Sequence, residues 1–228
     1  MELLYTGKTK NVYRAGDHQV LLQFKDDVTG ENGVFDPGAN TVGLTIEGAG
    51  RSGLKMSKHF FELINSLEIP THYIHADIDQ ATMTVREAKG FGKGLEVICR
   101  YRAVGSFLRR YGAYCEPGQP LGAFVEVTIK DDERGDPAIS ADALAMLGIL
   151  SPQEYDVLTA QTKKICGIIR DELAKKGLEL YDIKLEFGRD GETGNILLID
   201  EISGGNMRVY KNGAYIAPLE LEKAFLGE

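Results

Sequence analysis

The stretch LYDIKLEFGRDGETGNILLIDEI, residues 180–202, predicts a β-hairpin. Two runs rich in aliphatic residues, Leu180–Phe187 and Ile196–Ile202, flank the segment Asp190–Asn195, which is composed of turn-forming residues. This hairpin is the most informative part of the chain, because it predicts both a local fold and a pattern of charges.

The first strand of the hairpin has one charged face. Side chains alternate between the two faces of a strand, so Asp182, Lys184 and Glu186 share a face. The second strand is apolar until Asp200, and a turn centred near Thr193 would place Asp200 roughly opposite Glu186. Facing carboxylates destabilise a sheet unless a cation joins them, and carboxylate oxygens are preferred ligands of Mg²⁺. The spacing therefore predicts either a Mg²⁺ site or a solvated charged face.

The N-terminal part of the chain also predicts strands. Leu3–Arg14 and Gln19–Phe24 have the pattern of a hairpin joined by the turn residues Ala15–His18. A long glycine-rich loop is predicted over Thr29–Gly53, and it includes Phe35–Gly38. Its length and composition are typical of a segment that covers a ligand.

The rest of the chain mixes helices with strands. The clearest helix is predicted over Pro152–Lys176, where Ser151 supplies the N-cap, Glu154 completes a capping box and Gly177 provides the stop. A shorter helix is predicted at Met56–Leu67. Two strands are predicted within Tyr73–Ala88, and one each at Leu95–Cys99 and Ala123–Lys130. We therefore predict the α+β class, with a sheet-rich lobe over residues 1–88 and a mixed lobe over residues 89–228.

Composition and charge narrow the class of protein. The chain has 228 residues, of which 43% are hydrophobic and 26% charged, as in ordinary globular proteins. A net charge of −8 argues against a broad nucleic-acid surface. No apolar run approaches the roughly 20 residues that span a bilayer, and the first ten residues lack a signal-peptide pattern. We expect a cytoplasmic protein with neither nucleic-acid nor membrane partners.

The cysteines and histidines show no catalytic or metal-ligand spacing. We expect buried or idle thiols at Cys99, Cys115 and Cys166. We expect surface or structural roles for His18, His59, His72 and His75.

The segment Gly7-Lys8-Thr9-Lys10 is a candidate phosphate site. Glycine allows the backbone to approach a phosphate, and Lys8 and Lys10 on one face of a strand would neutralise it. The spacing is not that of a P-loop. Because Gly–Lys pairs are common on surfaces, an ordinary solvated strand is the alternative.

A second candidate anion site is the basic segment at residues 100–110, which holds four arginines in an otherwise acidic chain. Arg100 and Arg102 are expected on one side of an extended chain, where guanidinium groups can bind carboxylate or phosphate with two hydrogen bonds. Gly105 and Ser106 can begin a helix whose N–H groups receive an anion. The alternative is a solvated basic helix.

These separate motifs occur together, in the same order, in one enzyme family. The chain resembles the phosphoribosylaminoimidazole-succinocarboxamide synthase (SAICAR synthetase) family over nearly its whole length. The matching segments are Gly7–Tyr13, Lys25–Thr29, Ile69–His72, Glu96–Arg100, Gly105–Gly112, Lys130–Asp132, Gly135–Pro137, Asp182–Gly188 and Asp200–Ser203.

The resemblance implies a two-lobed nucleotide-binding fold related to kinases and ATP-grasp enzymes, with ATP between the lobes and Mg²⁺ as cofactor. It implies an ATP-dependent ligase of de novo purine biosynthesis. Such an enzyme joins L-aspartate to carboxyaminoimidazole ribotide through an acyl phosphate and needs no protein nucleophile. A homodimer with these small-molecule substrates is also implied.

The resemblance further implies roles for individual residues. The nucleotide-binding positions are Lys8, Lys10, Arg86, Glu87, Ala88 and Lys89. The substrate-binding positions are Arg100, Ser106, Lys130 and Arg208, of which Arg100, Ser106 and Arg208 would bind the anionic groups of the ribotide. The catalytic positions are Asp182, Lys184 and Arg208, and the metal ligands are Glu186 and Asp200.

Several positions depart from the family pattern. Gly204-Gly205 replace Pro-Asp, and Tyr101 replaces Asn in the expected substrate pocket. The region Val34–Leu44 looks inserted, the segment Gly48–Leu54 lacks the expected lysine and asparagines, and the usual final helix is expected to be missing after Tyr215.

These departures predict weaker use of aspartate, or acceptance of another amine. They leave three alternatives to the purine ligase: a paralogue acting on another carboxylate or amine, a small-molecule kinase, and a non-catalytic nucleotide-binding regulator. Retention of both Glu186 and Asp200 disfavours the regulator.

Overall fold

A computed structural model of the chain describes residues 1–31, 34–35 and 41–227. The chain forms two compact units. Unit 1 contains Met1–Lys89, Gly188–Asn206 and Ala217–Glu228, and unit 2 contains Gly90–Phe187 and Met207–Ile216. The predicted division at residue 88 remains a prediction, although two later segments of the chain belong to unit 1.

Unit 1 is built on a five-stranded antiparallel sheet with the order β1-β2-β3-β8-β7. These strands are β1 Leu3–Thr6, β2 Lys10–Gly16, β3 Gln19–Phe24, β7 Tyr73–Asp77 and β8 Thr82–Arg86. The prediction of one continuous strand from Leu3 to Arg14 is wrong, because the chain reverses between β1 and β2. The Gly7 N–H donates to the Lys10 carbonyl over 2.8 Å and closes this turn.

The predicted glycine-rich loop is largely regular structure. It contains β4 Asp27–Glu31, β5 Val34–Phe35 and β6 Val42–Thr45, which form a second small antiparallel sheet. Residues 32–33 and 36–40 of the predicted ligand-covering segment lie outside the described residues. A loop was predicted here because short strands containing glycine give a weak periodic signal.

Two helices pack together in unit 1. Helix α1 spans Ala49–Ser66, so it begins one and a half turns or more before the predicted start at Met56. A second helix of this unit is α5 at Pro218–Leu226, and the ring of Phe225 stacks on that of Phe60 with centroids 5.1 Å apart. The expectation that no final helix follows Tyr215 is therefore wrong.

Unit 2 is built on an antiparallel sheet with the order β11-β10-β12-β14-β15. Its strands are β10 Leu95–Arg102, β11 Pro120–Ile129, β12 Glu179–Asp190, β14 Met207–Lys211 and β15 Ala214–Tyr215. Two further short strands pair with β12: β9 Ala88–Gly90, and β13 Ile196–Ile199, whose residues belong to unit 1. The strands predicted around Leu95 and Ala123 are confirmed.

Three helices accompany this sheet: α2 Ser106–Tyr111, α3 Ala141–Met146 and α4 Pro152–Ala174. Helix α4 confirms the strongest helix prediction. The Ser151 hydroxyl accepts the Glu154 N–H over 3.2 Å, and the Glu154 carboxylate accepts the Ser151 N–H over 2.8 Å. The apolar stripe of α4 is fully buried, as periodicity predicted: Leu158, Ile165, Ile169 and Leu173.

The hairpin predicted over residues 180–202 is present as β12 and β13. The Asp190 N–H donates to the Asn195 carbonyl over 2.8 Å and closes its turn. Strand β13 ends at Ile199, and Asp200 has a left-handed φ of 69°. Asp200 therefore lies one residue beyond the paired strand, and its predicted position roughly opposite Glu186 remains a prediction.

The α+β fold class is confirmed by the antiparallel sheets and the helices of the two units. Cys99 and Cys166 are buried and Cys115 is partly exposed, all as free thiols. No helix among the described residues has the length and apolar character required to cross a membrane.

Candidate functional site

A cluster of one lysine and two acids lies in unit 1. Lys10 begins β2, and its Nζ is 2.8 Å from Oε1 of Glu201 and 3.1 Å from Oδ1 of Asp200. Only 11% of the Lys10 side chain is exposed. Burial opposes the ammonium charge, but the two carboxylates outweigh it and raise the pKa of Lys10 above its ordinary value. The cluster therefore holds a lysine that is charged at neutral pH beside two carboxylates.

Lys8 occupies a different position from Lys10. It lies in the turn between β1 and β2, whereas Lys10 lies in the strand. The expectation that both lysines share one strand face is wrong, because the strand does not extend back to residue 8. A Cβ on Gly7 would lie 2.9 Å from the Lys10 carbonyl, so this tight turn needs a glycine.

His72 adjoins this cluster, although no spacing in the sequence indicated it. The residue is 4% exposed, and its imidazole is hydrogen-bonded to the backbone of Asp200. Its Nε2 has no hydrogen-bond partner within the described protein. Burial lowers the pKa of His72 to about 3, against the opposing effect of Asp200, so the ring is neutral at pH 7. Of the two roles expected for His72, surface or structural, its buried position in unit 1 agrees with the structural one.

The predicted adenine hinge follows β8 in unit 1. The Arg86 guanidinium donates to the Thr71 carbonyl, and its Nη1 lies 3.4 Å from Oδ2 of Asp190. The Glu87 N–H donates to the His18 carbonyl over 2.8 Å, so this donor is already used within the protein. Arg86 also borders an open cleft of about 390 Å³ beside the hairpin turn.

Unit 2 contains a buried cluster around Arg100. Its Nη1 donates to Oδ2 of Asp182 over 2.7 Å, its Nε to Oε1 of Glu126 over 2.7 Å, and its Nη2 to the Ser106 hydroxyl over 2.7 Å. Arg208 Nη1 contacts the same Asp182 oxygen at 2.9 Å. The strand register explains this grouping, because Arg100 pairs with Asp182 on β12 and Asp182 pairs with Arg208 on β14.

A close backbone approach supports the position of Arg208. Gly105 has a positive φ of 56°, and a Cβ there would lie 2.7 Å from Nη1 of Arg208. Any larger residue would displace the guanidinium. Glycine at this position therefore admits Arg208 beside Asp182, which sequence patterning alone did not indicate.

The partners of the basic segment differ from those expected. Arg102 pairs with Glu179 near the surface at 2.7 Å, whereas Arg110 pairs with the buried Glu126 at 2.6 Å. The two arginines expected to act together, Arg100 and Arg102, thus have different carboxylate partners. Helix α2 does begin at Ser106, as predicted, but it has only six residues.

A second charged row lies on the same sheet. Lys184 Nζ is 2.6 Å from Oε1 of Glu96, whose Oε2 accepts the Thr128 hydroxyl over 3.1 Å. Lys130 Nζ is 2.8 Å from Oε1 of Glu186. Burial opposes the charge of Lys184, but Glu96 and Glu186 hold its pKa above the ordinary value. Glu96 is buried and was not identified from the sequence, because its importance depends on the neighbouring strand.

Tyr101 does not lie with the Arg100 cluster. Side chains alternate along β10, and the Tyr101 ring lies under the guanidinium of Arg170 on α4, with Cζ of Arg170 5.1 Å from the ring centroid. Its other neighbours are Cys99 and Cys166. The expectation that Tyr101 reshapes the substrate pocket is wrong, because the residue faces the helix.

The Gly204-Gly205 departure has a packing reason. A Cβ on Gly204 would lie 2.7 Å from Cα of Pro218, the first residue of α5. A Cβ on Gly205 would lie 3.1 Å from the Ser203 hydroxyl, which accepts the Gly205 N–H over 2.9 Å. The family's proline at position 204 would therefore collide with α5 in this chain.

The chain has clear relatives among known proteins. Residues 3–226 match the family model described as SAICAR synthetase. The phosphoribosylaminoimidazole-succinocarboxamide synthase of Clostridium tetani is 66% identical over 226 residues, covering 99% of this chain and 100% of that protein. The enzyme of the same name from Finegoldia magna is 37% identical, covering 92% of this chain and 86% of that protein.

Solved structures give the same result for the fold. A SAICAR synthetase in complex with ADP has a TM-score of 0.86 and 29% identity, covering 98% of this chain and 97% of that chain. The SAICAR synthetase of Pyrococcus horikoshii has a TM-score of 0.82 and 28% identity, covering 96% and 98% respectively.

Proposed function

Because the chain belongs to the SAICAR synthetase family, we propose that it joins L-aspartate to carboxyaminoimidazole ribotide through an acyl phosphate. The chain is an ATP-dependent ligase of purine biosynthesis. The observation that carries the choice of substrates is the match of 226 residues to a protein of that name at 66% identity. The charged clusters of the two units support it.

The chemistry explains why charge dominates the site. A carboxylate is a poor electrophile, so one of its oxygens attacks the γ-phosphorus of ATP and ADP leaves. The aspartate amine then attacks the acyl carbon, the C–O bond to phosphate breaks, and the amine loses its proton. Each step concentrates negative charge on oxygen, so the protein contributes positioning and charge neutralisation rather than a nucleophile.

The nucleotide is assigned to Lys8, Lys10 and the segment 86–89. Lys10 is the best supported of these, because its buried ammonium is fixed beside two acids and can donate to phosphate oxygens. Bound ADP in a structural relative supports nucleotide use by the family. The Glu87 N–H already donates to the His18 carbonyl within the protein. We therefore assign the contacts with adenine to backbone groups of the hinge that follow Glu87.

Mg²⁺ is assigned to the carboxylates of Glu186 and Asp200. The described residues contain no group of three or more His, Cys, Asp or Glu suited to a metal ion. The two carboxylates of Glu186 and Asp200 fit Mg²⁺, which is commonly held by one or two carboxylates together with substrate phosphates and water. When bound, the ion would neutralise phosphate charge and polarise the phosphorus.

The ribotide is assigned to Arg208, Ser106 and Lys130, and Arg100, which the family pattern also implies here, has a supporting role. Arg208 has 15% of its side chain exposed and can receive an anionic group, whereas Arg100 has 1% exposed and already donates to two acids and a hydroxyl. We assign Arg100 to holding Ser106 and Asp182 in place. Lys184, fixed by Glu96, and Asp182 are assigned to the reacting groups.

Aspartate is retained as the amine donor. The argument for an altered donor depended partly on Tyr101, which faces α4. The loss of the family's proline at Gly204 is accounted for by the close approach of Pro218, and a Cβ at Gly205 would lie 3.1 Å from the Ser203 hydroxyl oxygen. A homodimer remains an expectation from the family.

The deciding experiment measures ADP release with carboxyaminoimidazole ribotide, with and without aspartate. A ligase should release ADP at a substantial steady-state rate only when both substrates are present. Sustained ADP release without any amine would indicate a kinase instead. A strong response to another amine, but not to aspartate, would contradict the proposed substrate pair.

A further inference from the structure

Glu201 is an acid to which none of the proposed roles applies. It follows the proposed metal ligand Asp200 and was quoted in the family motif without a function. Its Oε1 nevertheless lies 2.8 Å from Nζ of Lys10, nearer than the Asp200 oxygen at 3.1 Å. Its side chain is only 12% exposed. A buried contact to the phosphate-binding lysine calls for a physical explanation.

The carboxylate of Glu201 is held from its other side. The Ser203 hydroxyl donates to Oε2 over 2.9 Å, and the Gly205 N–H donates to that hydroxyl over 2.9 Å. The Asn206 side chain donates to the Glu201 carbonyl over 2.6 Å. A Cβ on Gly53 would lie 3.4 Å from Oε2, so α1 also packs closely. Both the backbone and the side chain of Glu201 are therefore fixed before any ligand binds.

Asp200 and Glu201 both lie beside Lys10, but the two carboxylates can have different roles. A buried ammonium that loses all its carboxylate partners is strongly destabilised. A divalent cation attracts a carboxylate and repels a lysine, so Asp200 as a metal ligand would interact less with Lys10. Glu201, anchored by Ser203, is positioned to remain with the lysine.

We propose that Glu201 is the positioning residue of Lys10, holding its ammonium in the direction of the nucleotide phosphates while Asp200 serves the metal. This inference rests on the proposed function, in which Lys10 binds phosphate. The lysine side chain is a flexible four-carbon stem with a compact charge, and it has no geometric preference of its own. One fixed carboxylate supplies that preference within unit 1.

The test measures ADP affinity of the full-length protein by titration calorimetry, with and without Mg²⁺. Glu201→Gln keeps the size of the side chain but removes its charge, and should weaken ADP binding about tenfold. Ser203→Ala keeps Glu201 but frees its second oxygen, and should weaken ADP binding about threefold. The matched control is Glu222→Gln, because Glu222 pairs with Lys55 at 3.3 Å in the same unit, and it should leave ADP affinity unchanged.

A double-mutant cycle separates positioning from general structural damage. In a Lys10→Ala background, Glu201→Gln should change ADP affinity by less than about twofold, because the group it positions is gone. A merely structural role would weaken binding equally in both backgrounds and would overturn the inference. Steady-state kinetics should show a higher KM for ATP with the KM for the ribotide unchanged.

The outcomes distinguish this inference from the proposed function. If the wild-type protein does not bind ADP, the proposed function fails, and the inference fails with it. If the wild type binds ADP and Glu201→Gln binds it equally well, only the inference fails. If Glu201→Gln no longer unfolds cooperatively, folded Ser203→Ala decides the question, and unchanged ADP affinity there would overturn the inference.

Discussion

Arg100 Nη1 and Asp182 Oδ2 lie 2.7 Å apart, in side chains that are 1% and 3% exposed. The same guanidinium contacts Glu126, whose side chain is 7% exposed. Arg208 and Arg110 complete the group, so three arginines face two buried carboxylates. This cluster is part of the folded core of unit 2 as well as a candidate for binding the substrate.

Replacing Arg100 should therefore affect stability before it affects affinity. Arg100→Ala leaves Asp182 and Glu126 buried with less compensation and should lower the free energy of unfolding by about 3–5 kcal/mol. Arg208→Ala should have a smaller effect on stability and a larger effect on the KM for the ribotide. Denaturant unfolding and steady-state kinetics measure the two effects.

Arg102→Ala is the control for that comparison. Arg102 pairs with Glu179, and the two side chains are 35% and 50% exposed. A surface pair contributes about 0–1 kcal/mol, so this variant should unfold nearly as the wild type does. Equal stability of the Arg100→Ala and Arg102→Ala proteins would contradict a structural role for the buried cluster.

Asp200→Asn tests the metal assignment. The variant keeps the shape of the side chain but weakens it as a ligand, and should lower kcat by about a hundredfold or more. Its circular dichroism should be unchanged, and Mg²⁺ should no longer strengthen its binding of ADP. Asp156→Asn, at an exposed position of α4, serves as the control. Wild-type turnover by Asp200→Asn at ordinary Mg²⁺ concentrations would remove Asp200 from the site.

Tyr101→Asn restores the residue usual in the family and should leave the KM values for the ribotide and aspartate unchanged. The Tyr101 ring faces Arg170, so its loss should lower the free energy of unfolding by about 1–3 kcal/mol through lost packing. Tyr101→Phe keeps the ring and should be close to the wild type in stability. A marked change in either KM in the Asn variant would place Tyr101 back in the substrate pocket.

Gly204→Ala tests the packing of α5. The added Cβ would lie 2.7 Å from Cα of Pro218, and such overpacking costs about 1–3 kcal/mol. Thermal unfolding should therefore begin at a lower temperature. Gly16→Ala is the control, since a Cβ there meets nothing within 4 Å. An unchanged unfolding temperature for Gly204→Ala would mean that α5 shifts to accommodate the added Cβ without loss of stability.

Local patterns were sufficient where neighbouring residues decide the structure. The capping box at Ser151 and Glu154 identified the start of α4, and its apolar stripe identified the buried face. Local patterns failed where a glycine turn, or contacts between residues distant in the sequence, determine the structure. The turn at Gly7 splits a run that looked continuous, and the strands of the glycine-rich region form only by pairing with each other.

The sequence by itself determined the family, the α+β class and the strand carrying Asp182, Lys184 and Glu186, because collinear motifs and short-range periodicity are local properties of the chain. Only the tertiary structure decided which charges meet. Arg100, Asp182 and Arg208 become neighbours because β10, β12 and β14 pair in one register. Lys10 meets Glu201 across 191 positions of sequence. Such contacts depend on long-range strand pairing and close packing, to which no local pattern of residue types is sensitive.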